Sequence, residues 1–250
     1  MARRIAFVLV LVLAASLGGS LRATPAAAPA VRIAATPKPA PKPAVRGPHR
    51  RLNRGTLVAT VRPGREVLVR SAPNGPVVAR LTSRTEFGSP QTFAVTRLQD
   101  RHYRVISTAL PNGGIGWIDA APGTFTLGHA RVSLEIDLSA RLLRVRSGNR
   151  VRRTIRVGIG APGTPTPVGR FAVTDKLNGA NYSPVYGCCI LALSAHQTHL
   201  PSGWTGGDRI AIHGGTTAGA VSTGCLHASA AALRYLMRSV PLGAQVVIHP

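Results

Sequence analysis

The sequence predicts a mainly β protein, in which a small β domain is followed by a β-sandwich with one main helix. With 27 glycines, 20 prolines and only 4% aromatic residues, the chain is rich in turn formers. Short apolar runs alternate with turn signals along most of its length. A length of 250 residues leaves room for one large or two modest domains.

The N-terminus has the features of an export signal. Arg3 and Arg4 precede the apolar run from Ile5 to Leu17, and Ala26-Ala27-Ala28 offers a cleavage site. We therefore predict a signal peptide at residues 1–28 and an exported protein, in the cell wall or periplasmic space. The apolar run is short for a bilayer span, so membrane contact is expected only through an uncleaved signal. An exported protein meets no nucleotide pool, and a nucleotide is not expected as a partner.

A Pro/Ala-rich basic linker is predicted at residues 29–54. Its centre, Thr36-Pro-Lys-Pro-Ala-Pro-Lys-Pro43, favours extended polyproline conformations and cannot bury a core. A tether that holds the folded part away from the membrane, and plain disorder without a spacer role, are both compatible with this composition.

The formal net charge of +23 predicts attraction to polyanions. Only Lys38, Lys42 and Lys176 among the 31 basic residues are lysine, so arginine carries most of the charge. Coding composition and solubility would also explain this bias. No arginine run is interleaved with aromatic residues, so nucleic acid is not expected as a partner, whereas anionic wall polymers are.

Residues 55–125 predict a small antiparallel barrel or sandwich. Val67 to Pro73 and the closing Gly116-Trp117-Ile118 resemble bacterial Src-homology-3-like domains, and that resemblance implies a role in binding or spacing wall peptides. Its ligand stays open. The predicted strands are Thr56–Val61, Glu66–Arg70, Val77–Leu81, Thr92–Leu98, His102–Ser107 and Ile115–Asp119.

Residues 129–250 form the second predicted domain. Its one helix is expected at Ser229–Val240, because Leu233, Leu236, Met237 and Val240 fall on one helical face. The predicted strands are Val132–Leu138, Leu142–Arg146, Val151–Ile159, Arg170–Thr174, Cys189–Leu193, Arg209–Ile212 and Gln245–His249.

The most informative stretch runs from Ile210 to His227. A short apolar strand delivers His213 to a glycine-rich loop, and Cys225 follows in Ser222-Thr-Gly-Cys225, just before the predicted helix. A thiol nucleophile requires a nearby imidazole base and small residues that leave backbone amides open to a developing oxyanion. A buried structural cysteine with an unrelated histidine is the competing interpretation, which the surrounding pattern disfavours.

This pattern resembles the L,D-transpeptidase catalytic domain, a bacterial family that cross-links peptidoglycan through a cysteine acyl-enzyme. Similarity extends to the opening hairpin at 136–145, the proline-rich loop at 160–171 and the final strand at 243–248. The resemblance implies Cys225 as nucleophile, His213 as base and a backbone carbonyl at Ser222 that orients the histidine. It also implies an oxyanion hole formed by the backbone amides around Thr223, Gly224 and Cys225.

The chain departs from the family pattern at two positions. Thr223 stands where histidine is frequent, and His227 stands where arginine or asparagine is common. The loop between His213 and Cys225 is also short. We assign His227, Gly214 and Tyr186 to substrate binding, although histidine is a weaker carboxylate partner than arginine near neutral pH. Tyr186, like Tyr182 and Trp204, is equally compatible with core packing.

Other motifs carry less weight. Gly158-Ile-Gly-Ala-Pro-Gly163 matches a dinucleotide fingerprint, but the prolines that follow forbid the helix required there, and a loop between strands is predicted. The spacings of His196, His199, His213, Cys225 and His227 do not form a common zinc framework, and histidines lining a polar groove better explain the first two. We therefore expect no metal and no cofactor.

The three cysteines leave one thiol free if any disulfide forms. For Cys188 and Cys189, two small buried thiols are favoured over a vicinal disulfide, although export permits oxidation.

The function predicted is an exported peptidoglycan L,D-transpeptidase that acts on stem peptides through a thioester. With water as the acceptor, the same site would be an L,D-carboxypeptidase. A non-catalytic wall-binding structural protein is the alternative from a different class. The scarcity of acids in the second domain disfavours a glycan hydrolase.

Overall fold

The structure is a computed structural model, and it describes residues 55–250. The signal peptide predicted at 1–28 and the linker at 29–54 lie outside the described residues. Across the described range the protein is mainly β, as predicted, with one α-helix. No helix in this range is long and apolar enough to cross a bilayer.

The first sheet contains seven antiparallel strands in the order β3-β2-β6-β5-β4-β1-β7. Alternate residues of β2 and β5 are buried, which is the periodicity that sequence alternation predicts. Phe93, Val105 and Ile118 lie at the centre of its own core. The resemblance to Src-homology-3-like domains stays a prediction. The strands are β1 (Thr56–Val61), β2 (Val67–Arg70), β3 (Val77–Leu81), β4 (Thr92–Gln99), β5 (His102–Ile106), β6 (Gly116–Asp119) and β7 (Phe125–Ala130).

Strand β7 lies across the boundary that the sequence places between residues 125 and 129. It pairs with β1 along its whole length, from Thr56 opposite Ala130 to Val61 opposite Phe125. Ala130 also packs into the core of the second sheet. The change from one sheet to the other therefore comes after residue 130.

The second sheet has eight strands in the order β10-β9-β8-β17-β12-β13-β14-β16. Most neighbours are antiparallel, but β17 with β8 and β14 with β16 are parallel. A small parallel pair, β11 with β15, lies beside it. The strands are β8 (Ser133–Asp137), β9 (Leu142–Ser147), β10 (Arg150–Arg156), β11 (Ile159–Gly160), β12 (Gly169–Asn178), β13 (Cys189–His196), β14 (Arg209–His213), β15 (Ala220–Ser222), β16 (Leu226–His227) and β17 (Gln245–His249).

The predicted strand Val151–Ile159 is divided in the structure. Strand β10 ends at Arg156, and Ile159 begins β11, which pairs with β15 instead of continuing in the main sheet. Residues 161–168 then form a loop without helix, as the prolines predict. This loop lies against the segment that carries Ser222.

The helix α1 (Ala230–Ser239) is found where its apolar stripe predicts it. It begins after Ser229, whose hydroxyl accepts a hydrogen bond from the Ala232 amide at 3.3 Å, so Ser229 is the N-cap. Leu233 and Leu236 are fully buried in the core of the second sheet, where α1 packs near β13. The helix thereby anchors the chain immediately after the segment that contains Cys225.

Specific polar contacts join the two sheets. The Asn112 side chain accepts from the His196 amide at 2.9 Å and donates to the His196 carbonyl at 2.6 Å. The His196 ring bonds to Asp208 Oδ2 and to the Thr108 carbonyl, each at 2.8 Å. His196 is therefore an interface residue, and the expectation that it lines a polar groove is corrected.

Candidate active site

His213 is the last residue of β14, and its side chain is buried, with 4% exposed. Its ring Nδ1 lies 2.7 Å from the carbonyl oxygen of Gly214. A carbonyl only accepts, so Nδ1 carries the proton and Nε2 is left with a free lone pair. Burial lowers the pKa of His213 to about 4, against the smaller opposing effect of that hydrogen bond. The residue is therefore neutral near pH 7 and able to accept a proton.

Cys225 immediately precedes β16, beside the strand that ends in His213. The parallel register pairs His213 with His227, and continuing it backwards brings Cys225 level with Ala211. Residues 225 and 227 of one strand, and 211 and 213 of the other, thus share one face of the sheet. The sequence-predicted pair is brought to the same edge of the same sheet.

The Cys225 thiol is held by backbone groups of β14. Its Sγ lies 4.0 Å from the Arg209 carbonyl oxygen, to which the thiol donates. Burial raises the pKa of Cys225, and a hydrogen bond with the Ala211 backbone opposes this only in part. Within residues 55–250, no hydrogen bond joins the thiol to His213. Both groups are therefore neutral, and no thiolate–imidazolium pair is preformed.

The turn before the cysteine is fixed by Ser222. Its hydroxyl donates to the Cys225 carbonyl at 2.5 Å and accepts from the Gly224 amide at 3.2 Å. The Ser222 carbonyl accepts from the Ala161 amide and the Thr164 hydroxyl. The resemblance implied that the Ser222 carbonyl orients His213, and this is not what the structure shows. The Gly214 carbonyl accepts from His213 Nδ1 instead.

The predicted oxyanion amides differ in availability. The Gly224 amide is already bonded to Ser222, whereas no hydrogen bond of the Thr223 or Cys225 amide is found in the described part of the chain. Gly224 has φ +101°, and an added Cβ would overlap the Gln197 side chain. A glycine is thus required here for the turn, and the Thr223 and Cys225 amides are the two that remain without a hydrogen bond in the described residues.

His227 lies directly beside the histidine base. The two ring centroids are 4.8 Å apart, and Gly215 packs over the His227 ring so closely that a Cβ would clash with it. Burial lowers the pKa of His227, and its Nδ1 is buried without a hydrogen-bond partner in the described residues. A neutral His227 would be a hydrogen-bonding rather than a charged substrate partner.

Tyr186 and Gly214 complete the predicted set. Tyr186 lies in a short 3-10 turn, Pro184–Tyr186, and its ring meets that of His213 edge-to-face at 4.8 Å between centroids. Its carbonyl accepts from the Gly214 amide at 2.8 Å. A Cβ on Gly214 would press on that carbonyl, so this position requires glycine. The structure therefore brings both residues to His213.

Two residues that support the cysteine turn are not among those predicted from the sequence. The Gln197 side chain is buried and donates to the carbonyls of Thr223 (3.2 Å) and Pro165 (3.1 Å). Thr166 donates from its hydroxyl to the Gly224 carbonyl at 2.8 Å. Their only signal in the sequence is a polar side chain in an apolar or proline-rich context. That signal does not reveal a hydrogen bond to residues 223 and 224, which are far away along the chain.

The weak preference for two free thiols at residues 188 and 189 is wrong in this structure. The sulfur atoms of Cys188 and Cys189 are bonded to each other, and Cys225 is the free cysteine of the described residues. The disulfide directly follows the turn that carries Tyr186. Among the remaining candidates, Tyr182 meets Phe87 of the first sheet edge-to-face, and Trp204 is exposed.

Fold and site together define a mainly β protein in which a buried neutral histidine ends β14 and a free cysteine immediately precedes the adjoining parallel strand β16. Residues 131–248 match the YkuD family model, described as the L,D-transpeptidase catalytic domain. This match covers the helix and the second sheet up to residue 248, one residue short of the end of β17. The predicted resemblance of the second domain is thus confirmed at the level of the domain. The search of curated proteins found no match.

The solved structures with similar folds include several L,D-transpeptidases. One from Mycobacterium smegmatis is 17% identical, with a TM-score of 0.41, over 63% of this chain and 82% of that one. L,D-transpeptidase 1 from Mycobacterium tuberculosis is 19% identical, with a TM-score of 0.36, over 54% and 77%. L,D-transpeptidase 3 from the same organism is 16% identical, with a TM-score of 0.37, over 54% and 74%.

Proposed function

We propose that this protein is an exported peptidoglycan L,D-transpeptidase that uses Cys225 as its nucleophile and His213 as its base. One observation carries the proposal: the parallel β14–β16 pair brings a histidine with a free Nε2 to the sheet edge that also holds the free thiol. The family match at 131–248 supports the substrate class, which is the stem peptide of the cell wall.

In the first half of the reaction, the Cys225 sulfur attacks the carbonyl carbon between the third and fourth residues of a tetrapeptide stem. The thiol proton passes to His213 Nε2 as the sulfur–carbon bond forms. The C–N bond then breaks, and His213 returns the proton to the departing amine of the terminal D-alanine. The product is a thioester on Cys225.

In the second half, an amine from a neighbouring stem attacks the thioester. His213 accepts its proton, the sulfur–carbon bond breaks and the thiol is restored, so a new amide replaces the old one. No external energy source is required for this exchange. With water in place of the amine, the same steps give an L,D-carboxypeptidase.

The neutral state of both groups suits this sequence of steps. A histidine with a pKa of about 4 cannot hold the thiol proton before attack, so deprotonation must accompany the attack on the carbonyl. The amide of Cys225 would then bind the developing oxyanion. The Tyr186 ring, which meets His213 edge-to-face, and the neighbouring His227 ring hold the His213 ring in place while the proton moves.

The test is intact-protein mass spectrometry of residues 55–250 after incubation with a carbapenem, a β-lactam acyl donor. We expect one adduct per chain, absent from Cys225→Ala. The double variant Cys188→Ala/Cys189→Ala is the matched control, because it removes two cysteines outside the proposed mechanism and should keep the adduct.

Incubation with a tetrapeptide stem, with and without an acceptor amine, separates the two reactions. A cross-linked dimer that forms only with the amine supports the transpeptidase, and a tripeptide as sole product supports the carboxypeptidase. A folded protein that forms neither product nor adduct would reject the enzyme and leave the wall-binding protein.

A further inference from the structure

Arg209 connects the candidate nucleophile with the first sheet. It is the first residue of β14, and its carbonyl oxygen accepts the hydrogen bond of the Cys225 thiol at 4.0 Å. This peptide group, together with the Ala211 backbone, therefore holds the thiol against β14. The Arg209 side chain is only 10% exposed, which is unusual for arginine.

Within the second sheet, the Arg209 guanidinium is held by three neighbours. Its Nε and Nη2 donate to the Leu193 carbonyl at 3.0 and 2.6 Å, and Nη2 also donates to the Thr174 hydroxyl at 2.6 Å. Asp175 Oδ2 lies 3.9 Å from Nη2. This carboxylate is fully buried, and that oxygen has no hydrogen bond among residues 55–250, so Arg209 is its neutralising charge.

The remaining contacts come from the loop between β3 and β4, residues 82–91, which we call the 82–91 loop. Glu86 forms an ion pair with Arg209 Nη1, and the Phe87 ring lies under the guanidinium at 5.7 Å. Thr85 donates from its hydroxyl to Asp175 Oδ1 at 2.5 Å. The loop thus supplies partners to both members of the buried pair.

These contacts form a continuous path from the first sheet to the thiol. The planar guanidinium has its donors occupied on several sides, so the side chain has one well-defined position. Because β14 starts at Arg209, that position also fixes the peptide group that accepts from Cys225. If the 82–91 loop served only as a spacer, it would not require an arginine that bonds both to this loop and to the second sheet.

We infer that Arg209 is a positioning residue through which the 82–91 loop of the first sheet holds Cys225 in its reactive place. The inference rests on the proposed function only in the identity of the thiol. It gives the first sheet a part in controlling the reactivity of that thiol, beyond any binding of wall peptides.

The test uses the full chain and the variant Glu86→Gln, with Glu66→Gln as its matched control. Glu66 forms an exposed ion pair with Arg80 inside the first sheet, so the control removes the same charge away from the interface. The readout is the rate of Cys225 alkylation by iodoacetamide against pH, followed by intact mass. Because Cys188 and Cys189 are bonded to each other, Cys225 is the thiol that reacts.

We expect Glu86→Gln to move the midpoint of the pH profile, because a displaced Arg209 carbonyl no longer holds the thiol proton. Glu66→Gln should leave the midpoint unchanged. Glu86→Asp, which keeps the carboxylate, should restore much of the original profile. Circular dichroism of each variant checks that the fold is retained. A profile that is the same in all four proteins would overturn the inference.

A second measurement separates positioning from docking. Arg209→Lys keeps the positive charge but loses the planar guanidinium that bonds several partners at once. We therefore expect kcat to fall about tenfold, with a smaller change in KM. In the double variant Arg209→Lys/Glu86→Gln, the loss of kcat should be less than the sum of the two single losses, because both substitutions act on the Arg209–Glu86 ion pair. Additive effects would contradict the inference. A shifted alkylation profile in a protein without acyl transfer would instead reject the proposed function and keep the inference.

Discussion

At the scale of single residues, the state of His213 decides how the site can work. Its Nδ1 donates to a carbonyl of the neighbouring residue rather than to a carboxylate, so no anion raises its basicity. Burial among Tyr186, His227 and the sheet then lowers its pKa. In the proposed mechanism, the histidine is therefore a neutral base that accepts the proton only as the reaction proceeds.

The pH dependence of the reaction follows from this. The acid limb of kcat/KM reports the base in the free enzyme, so activity should fall as the pH drops through about 4 instead of near 6.5. The measurement is kcat/KM for a stem tetrapeptide between pH 3.5 and 8. His129→Gln, at an exposed position outside the site, should keep the same limb. A loss of kcat/KM centred near pH 6.5 would contradict the conclusion that burial lowers the pKa of His213.

The same pKa makes stability depend on pH. A histidine whose pKa is lowered by folding stabilises the native state fully above the unfolded value of 6.5. That contribution is lost as the pH falls from 6.5 towards 4. The free energy of unfolding, from urea titrations at several pH values, should therefore decrease across this window. His213→Gln should flatten the decrease, and an unchanged slope would show that other groups cause it.

At the scale of elements, the segment before β13 shapes the wall of the site. The Tyr186 ring contacts His213, Gly187 lies against Gly214, and the Cys188 carbonyl accepts from the Gly179 amide at 3.1 Å. Cys189 then begins β13 in the core of the second sheet. The Cys188–Cys189 disulfide thus lies where the chain passes from the wall of the candidate site into the core.

The disulfide predicts a thiol count. The protein unfolded in guanidinium without reductant should show one thiol per chain with Ellman's reagent, because Cys225 alone is free. After reduction and removal of the reductant, the count should rise to three. Cys225→Ala should show none before reduction. Three thiols in the unreduced protein would contradict the bonded pair and restore the weaker sequence expectation of free thiols.

At the scale of the whole molecule, the charge of +23 with only eight acids dominates interactions with other polymers. A net positive charge of this size attracts polyanions at low ionic strength, and salt screens the attraction. In the proposed function, wall attachment by charge and catalysis at Cys225 would therefore be separable properties. The first belongs to the surface as a whole, and the second to one sheet edge.

Binding to an anionic wall polymer should weaken steeply as salt rises from about 0.05 to 0.5 M, because screening lengths shorten over this range. The measurement is cosedimentation with isolated cell walls. Cys225→Ala should bind as the unmodified protein does, since it changes no charge. Salt-independent binding would indicate a specific ligand site, for which the first sheet is the candidate.

Much of the fold could be predicted because it is encoded by local patterns. Period-two alternation placed most strands of both sheets within a few residues, although β7, β15 and β16 are not among the predicted strands, and the apolar stripe placed α1. The candidate site could be predicted for the same reason: His213, Ser222 and Cys225 lie in one short stretch. Turn chemistry also identified the proline-rich loop at 161–168 as non-helical.

The sequence by itself therefore determined the mainly β class, the helix, and the histidine and cysteine that the proposal uses. Only the tertiary structure decided that Gly214 orients His213, that Gln197 supports Thr223, and that Arg209 meets Glu86. The last pair is 123 residues apart in the chain. Such contacts depend on how two sheets pack, whereas periodicity and turn signals record only the conformation of neighbouring residues.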